Sequence, residues 1–213
     1  MDIKDQISRN LSDVKIILDK AGIFFWIEHG FLLGLYRSGD IIKNDEYDVD
    51  ICIWKSDLDK FNTIRSEFNR KSLLVERGRF KERTPKYAPD GTLSSVAYRR
   101  RGSQMDFKVM TKKGNMVYYI IDGSRHRGVV KQKYLVYVLP VDLYNSGFGE
   151  MEWGGIKLNC PKDIERYLTV RYGKNWKIPV YRGEGWSSWD FKLNPCLREW
   201  SVNNFNVVTD IFY

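Results

Sequence analysis

Two aspartates one residue apart, Asp48 and Asp50, run directly into the apolar stretch Ile51-Cys52-Ile53-Trp54. Side chains alternate along a strand, so both carboxylates share one face while Val49, Ile51 and Ile53 share the other. Carboxylates ~6 Å apart repel by about 3 kcal/mol at an effective dielectric of ~20. A pair of this kind beside a buried strand requires either a solvated strand end or a cation between the charges. Hard oxygen ligands at this spacing suit Mg²⁺ or Mn²⁺, which bind through one or two carboxylates together with substrate phosphates. A second predicted strand, Met105 to Met110, carries Asp106 and supplies a third carboxylate. Three acids on neighbouring strands make a usual metal arrangement for phosphoryl chemistry.

The remainder of the chain fits a globular protein that handles an anion. At 213 residues it has the length of one domain, and we expect 1–213 to form a single unit. Hydrophobic residues make up 43% and charged residues 29%, which excludes a disordered composition. The net charge of +8 points to an anionic substrate or partner. Its basic residues fall in short clusters, such as Arg99-Arg100-Arg101 and Arg125-His126-Arg127, which read as solvated turns. Cys52, Cys160 and Cys196 are widely spaced and odd in number, and the histidines are His29 and His126. That pattern argues against zinc and against a disulfide framework. The N-terminal residues lack a hydrophobic signal segment, and no apolar run approaches the ~20 residues of a membrane span. The expectation is a cytoplasmic protein of a reducing compartment.

Apolar spacing predicts a first helix over Ile3 to Ala21, stopped by Gly22, and then a buried strand at Ile23 to Ile27. Tyr47 to Trp54 reads as a strand, and Ser56 as the cap of a helix that buries Leu58, Phe61, Ile64 and Phe68. Strands follow around Leu74, Val96, Phe107 and Tyr118. Pro161 is expected to open another helix that ends at Gly173, and the tryptophan-rich tail to wrap irregularly over the domain. Helices mixed with mainly antiparallel strands define an α+β class, one mixed sheet with helices packed largely on one side.

Between the first strand and the acids lies His29-Gly30-Phe31-Leu32-Leu33-Gly34, a glycine-bracketed turn entering a short helix. Unpaired N–H groups at a helix start hold phosphate, and Arg37, one turn on, adds a charged fork. His29 beside this turn is a candidate donor contact. Tyr172, Trp176 and Trp153 are either stacking platforms for a base or sugar, or core aromatics. His126 is either a phosphate contact or part of an exposed basic loop.

Gly30-x-Leu32-Leu33-Gly34-x-x-Arg37, Gly39-Asp40-Ile41-Ile42 and Tyr47-Asp48-Val49-Asp50 together resemble the signature of the LicD and fukutin-related protein family. A later stretch, Tyr167-Leu168, Tyr172-Gly173, Trp176 and Pro179, resembles the family's second motif in the family's order. The resemblance implies a nucleotidyltransferase-like fold. It also implies transfer of a phospho-alcohol, such as phosphocholine or ribitol phosphate, or of a sugar phosphate, from a CDP-linked donor to a glycan. Asp48 and Asp50 match the metal-binding acids, Asp106 the acid of the later strand, and Gly34 and Arg37 the nucleotide-facing turn. Before the acidic pair this chain has Lys43-Asn44-Asp45-Glu46 in place of the family's Pro-Trp-Asp. Either Asp45 or Glu46 supplies the extra carboxylate, and Glu46 or Asp106 is the candidate base.

Two other classes share parts of this pattern. A nucleotidyltransferase acting on a small molecule or an RNA end would use the same three acids with an NTP. A basic nucleic-acid-binding module would use the positive charge alone, but an Asp-x-Asp in a basic groove repels phosphate unless metal is present.

Overall fold

The computed structural model describes residues 2–42, 48–69, 79–180, 191 and 194–206. In chain order the elements are α1 (Ile3–Lys20), β1 (Phe25–Ile27), α2 (His29–Ser38), β2 (Asp48–Trp54) and α3 (Leu58–Asn69). Six strands follow: β3 (Lys81–Glu82), β4 (Lys86–Tyr87), β5 (Leu93–Arg100), β6 (Ser103–Lys113), β7 (Met116–Asp122) and β8 (Lys133–Pro140). The chain continues with α4 (Asp142–Asn145), β9 (Phe148–Trp153), β10 (Ile156–Pro161), α5 (Ile164–Tyr172), β11 (Leu197–Ser201) and α6 (Val202–Asn206). The class is α+β, as the mixed periodicities predict.

The main sheet runs β1-β2-β6-β7-β8-β11, and among the described residues every pairing along it is antiparallel except that of β2 with β6. β6 is long enough to serve two neighbours. Over Ser103–Lys108 it pairs with β5, and over Thr111–Lys113 with β7. The sheet therefore forks along β6. The hairpin β9–β10 is a separate two-stranded ribbon that packs on β1.

The two faces of β6 carry different chemistry because its side chains alternate. Met105, Phe107 and Val109 are buried on one face, where α1 and α3 pack. Phe107 lies 5.0 Å from Phe61 and 5.5 Å from Phe68, ring centre to ring centre, which anchors α3 to the sheet. Gln104, Asp106 and Lys108 occupy the opposite face. A second apolar cluster lies beyond the fork, where Tyr118, Tyr134 and Val136 pack against Trp200.

Four local expectations need correcting. Pro161 is the last residue of β10, not a helix start; Asp163 caps α5 by accepting from Arg166 N–H at 3.1 Å. The tail does not simply wrap: β11 pairs in register with β8, and Trp200 faces Tyr134. Ser56 sits within a 3₁₀ turn, Lys55–Asp57, that precedes α3. Arg100 is not a solvated turn residue. It is buried, paired with Asp13 and Asn10, and its guanidinium lies 4.0 Å over the Phe80 ring. Leu74 and Tyr47 lie outside the described residues.

Gly34 sits within α2, where an alanine normally gains about 1 kcal/mol of helix propensity. A Cβ there would lie 2.6 Å from the Asp40 carbonyl oxygen and 3.0 Å from the Ile42 nitrogen, both backbone atoms. Gly39, with φ +70°, turns the chain back to make that approach. Gly34→Ala is expected to lose about 1–3 kcal/mol through overpacking, lowering the urea midpoint at unchanged slope. An unchanged or higher midpoint would show that the contact is not tight.

Candidate active site

A cleft of about 390 Å³ opens where the sheet forks, within the size range of small-molecule sites. Ala97 of β5, Asp106 of β6 and Tyr119 of β7 all line it, so both branches contribute. Asp48 and Asp50 of β2 line it as well. The parallel register sets Asp50 beside Asp106 and Asp48 beside Gln104. The three predicted carboxylates therefore face one cavity. Glu46 and Asp45 lie outside the described residues.

Asp106 is partly buried, and its enclosed Oδ1 has no hydrogen-bond partner among the described residues. Burial raises its proton affinity above the ordinary carboxylate value, and Lys108 opposes that shift. Lys108 lies two residues on along the same face and donates to Asp50 Oδ1. Burial would favour neutral Lys108, but Asp50 and Asp106 together hold it firmly protonated. The unpartnered Asp106 oxygen and the all-oxygen donor set fit a hard divalent cation. They do not form a closed cage. Among the described residues, the group of three His, Cys, Asp or Glu side chains whose ligand atoms all lie within 4.8 Å of one another is Glu28, His29 and Cys52.

That second cluster is a hydrogen-bonded node of the core. Glu28 is fully buried and accepts from Trp26 Nε1 at 2.6 Å, Tyr144 OH at 2.7 Å and Tyr167 OH at 3.0 Å. Cys52 also bonds to it, and burial keeps this thiol protonated. These donors satisfy the Glu28 carboxylate without a metal ion. The Glu28 N–H bonds the Asp50 carbonyl at 3.3 Å, which ties the node to the acid-bearing strand.

His29 follows in a left-handed conformation, φ +55°, that is uncommon for a non-glycine residue. Burial, Lys108 and Arg171 push its proton affinity well down, so the ring is neutral. Arg171 Nε donates to His29 Nδ1 at 3.4 Å. This network assigns the ring proton to Nε2, which makes no hydrogen bond among the described residues and lies 3.7 Å from Glu28 Oε2; His29 lines the cleft. His29 thus stands at the cavity wall with a neutral ring.

Arg37 and Gly30 also line the cleft. Arg37 Nη1 donates to the Trp176 carbonyl at 3.3 Å, and its buried Nε has no partner among the described residues. Gly34 does not line the cavity and serves the α2 packing described above. Of the aromatic candidates, Tyr172 lines the cleft, Trp176 is buried beside Arg37, and Trp153 packs edge-on to Phe31. His126 is on an exposed loop.

Four cationic residues of the cleft wall, Arg83, Lys86, Lys108 and Arg171, were not expected from the sequence. Arg171 is buried, stacks 3.6 Å over the Tyr137 ring and donates to Asn194 at 2.9 Å. Lys86 is largely buried, which lowers its proton affinity, and its Nζ donates to the Ile121 carbonyl at 2.6 Å. Lys108 was readable from its two-residue offset to Asp106. Arg171 stands directly before Tyr172-Gly173, but nothing in that motif shows which way it points.

Residues 22–163 match the family described as LicD/FKTN/FKRP, nucleotidyltransferase domain. The chain belongs to the LicD/FKTN/FKRP family. Two relatives, named ribitol 5-phosphate transferase FKRP from mouse and from human, are each 42% identical to this LicD-family chain over 62 residues. That stretch is 29% of this chain and only 12% of either relative. The crystal structure of the lincosamide antibiotic adenylyltransferase LnuA with lincomycin bound aligns over 94% of this chain and 97% of its own. The identity there is 12% and the TM-score 0.45. No helix among the described residues of this LicD-family chain is long and apolar enough to cross a membrane.

If Glu28 organises the floor of the site, Glu28→Ala must leave several buried donors unpaired. We expect a loss of roughly 3 kcal/mol or more in equilibrium unfolding, against about 1 kcal/mol for Tyr144→Phe. Equal, small losses in both variants would remove Glu28 from that role.

Proposed function

We propose that this protein transfers a phospho-alcohol or sugar phosphate from a CDP-linked donor to a glycan hydroxyl, using Mg²⁺ or Mn²⁺. The observation that carries the reading is the register of Asp50 beside Asp106 at a cleft whose other walls present Arg37, Arg171 and Lys86. Family membership and the ribitol 5-phosphate transferase relatives support the same class of chemistry.

Asp48, Asp50 and Asp106 would hold the divalent ion, which neutralises the donor diphosphate and the charge that develops on it. Arg37 and the His29 Nε2–H then steady the phosphate oxygens, while the first turn of α2 at Gly30 approaches them with backbone N–H groups. Tyr172 offers a ring for the base or sugar. The acceptor hydroxyl attacks the distal phosphorus in line. A new oxygen–phosphorus bond forms, the bond to the nucleoside monophosphate breaks, and CMP leaves with the electron pair. The hydroxyl proton passes to a carboxylate. Asp106 is the candidate base among the described residues, and Glu46 is the other.

Calorimetric titration of CDP, UDP, GDP, ADP and ATP, each with Mg²⁺ and then with EDTA, tests the reading. CDP should bind only with metal, and Asp50→Asn or Asp106→Asn should weaken it at least tenfold, about 1.4 kcal/mol. Asp142→Asn, an exposed partner of Arg166, should leave it unchanged. Metal-dependent binding of ATP but not CDP would favour the nucleotidyltransferase class. Binding of RNA without metal, weakening steeply with salt, would favour the nucleic-acid module.

A further inference from the structure

Asp50 and Asp106 are register partners across the parallel pair β2–β6, and Cys52 and Lys108 are the partners two residues on. Alternation puts all four side chains on the face that lines the fork. Lys108 therefore emerges from the floor of the acidic site itself. Its side chain is only 15% exposed, and Ser95 flanks it on the β5 side. The ammonium bonds Asp50 Oδ1 and also lies in the field of Asp106.

This placement decides how many ions the carboxylates can take. Paired divalent ions in phosphoryl-transfer sites stand roughly 3.5–4 Å apart and share a carboxylate between them. Asp50, central in sequence between Asp48 and the register partner Asp106, is the acid placed to be shared, and one of its oxygens already binds an ammonium. A divalent ion bridging from that oxygen would meet a fixed positive charge at contact distance. The strand backbone and buried stem hold Lys108 in place.

We propose that Lys108 occupies one of the two cation positions of this site, so that the cleft binds a single divalent ion and Lys108 supplies the second positive charge facing the donor diphosphate. The inference rests on the metal reading given under Proposed function. It differs from that reading in a countable quantity, the number of ions. It also makes Lys108 a competitor of metal, so deleting its charge should strengthen metal binding.

Mn²⁺ titration of the full chain, with the free ion followed by electron paramagnetic resonance, reads both quantities. The wild-type protein should bind one ion. Lys108→Met keeps the length of the stem without the charge. It should bind two ions, the first at least about tenfold more tightly than wild type. Lys108→Arg should remain at one. If Lys108→Met does not fold, Lys108→Gln retains a hydrogen bond to Asp50 and serves instead. Two ions on the wild-type protein overturn the inference without any variant, as does a Lys108 variant that binds one ion with unchanged affinity. No ion on wild type or on Lys108→Met would overturn the metal reading itself, and this inference with it.

Discussion

The parallel pairing of β2 with β6 is the constraint on which the site depends. Side chains on a strand alternate, so a register fixed at Asp50 beside Asp106 also fixes Asp48 beside Gln104 and Cys52 beside Lys108. A slip of one residue would turn Asp106 and Lys108 toward α3 and put Phe107 in the cleft. The apolar face prevents this, because Phe107 is locked against Phe61 and Phe68. The ring cluster on one face thus sets the charges on the other.

The carboxylates were legible for the same reason. Asp48 and Asp50 flank Val49 in a run whose next residues are apolar, and Asp106 sits between Met105 and Phe107. Period-two alternation is enough to place all three acids on the polar faces of buried strands. α1, β1 and α2 were legible too, from helical spacing and from glycines that stop them. The α5 start was not: proline can begin a helix or end a strand, and only the tertiary pairing of β9 with β10 chose the latter for Pro161. β11 was hidden because its partner, β8, lies far back in the chain.

The residues that complete the cleft were the least readable. Glu28 gives no periodic signal, and its role arises from Tyr144 and Tyr167, more than a hundred residues later. Arg171 sits on an amphipathic helix where an arginine is ordinarily solvated; the aromatic floor of Tyr137 draws it inward instead. Gly34 carried the opposite lesson. Its position in the glycine turn suggested contact with a ligand, and the close contact proved to be with the chain's own Asp40 carbonyl.

The fork in the sheet has a kinetic consequence. β1 and β2 pair after a short excursion, but β2 meets β6 only after α3 and three strands have intervened. Such a parallel closure carries a larger loop entropy than the hairpins around it, and contacts of this kind tend to form late in folding. Until then Asp50 and Asp106 belong to separate pieces of chain, and neither piece has the geometry to sequester an ion. If the proposed ion binds these acids, its affinity arises only once the native topology is reached.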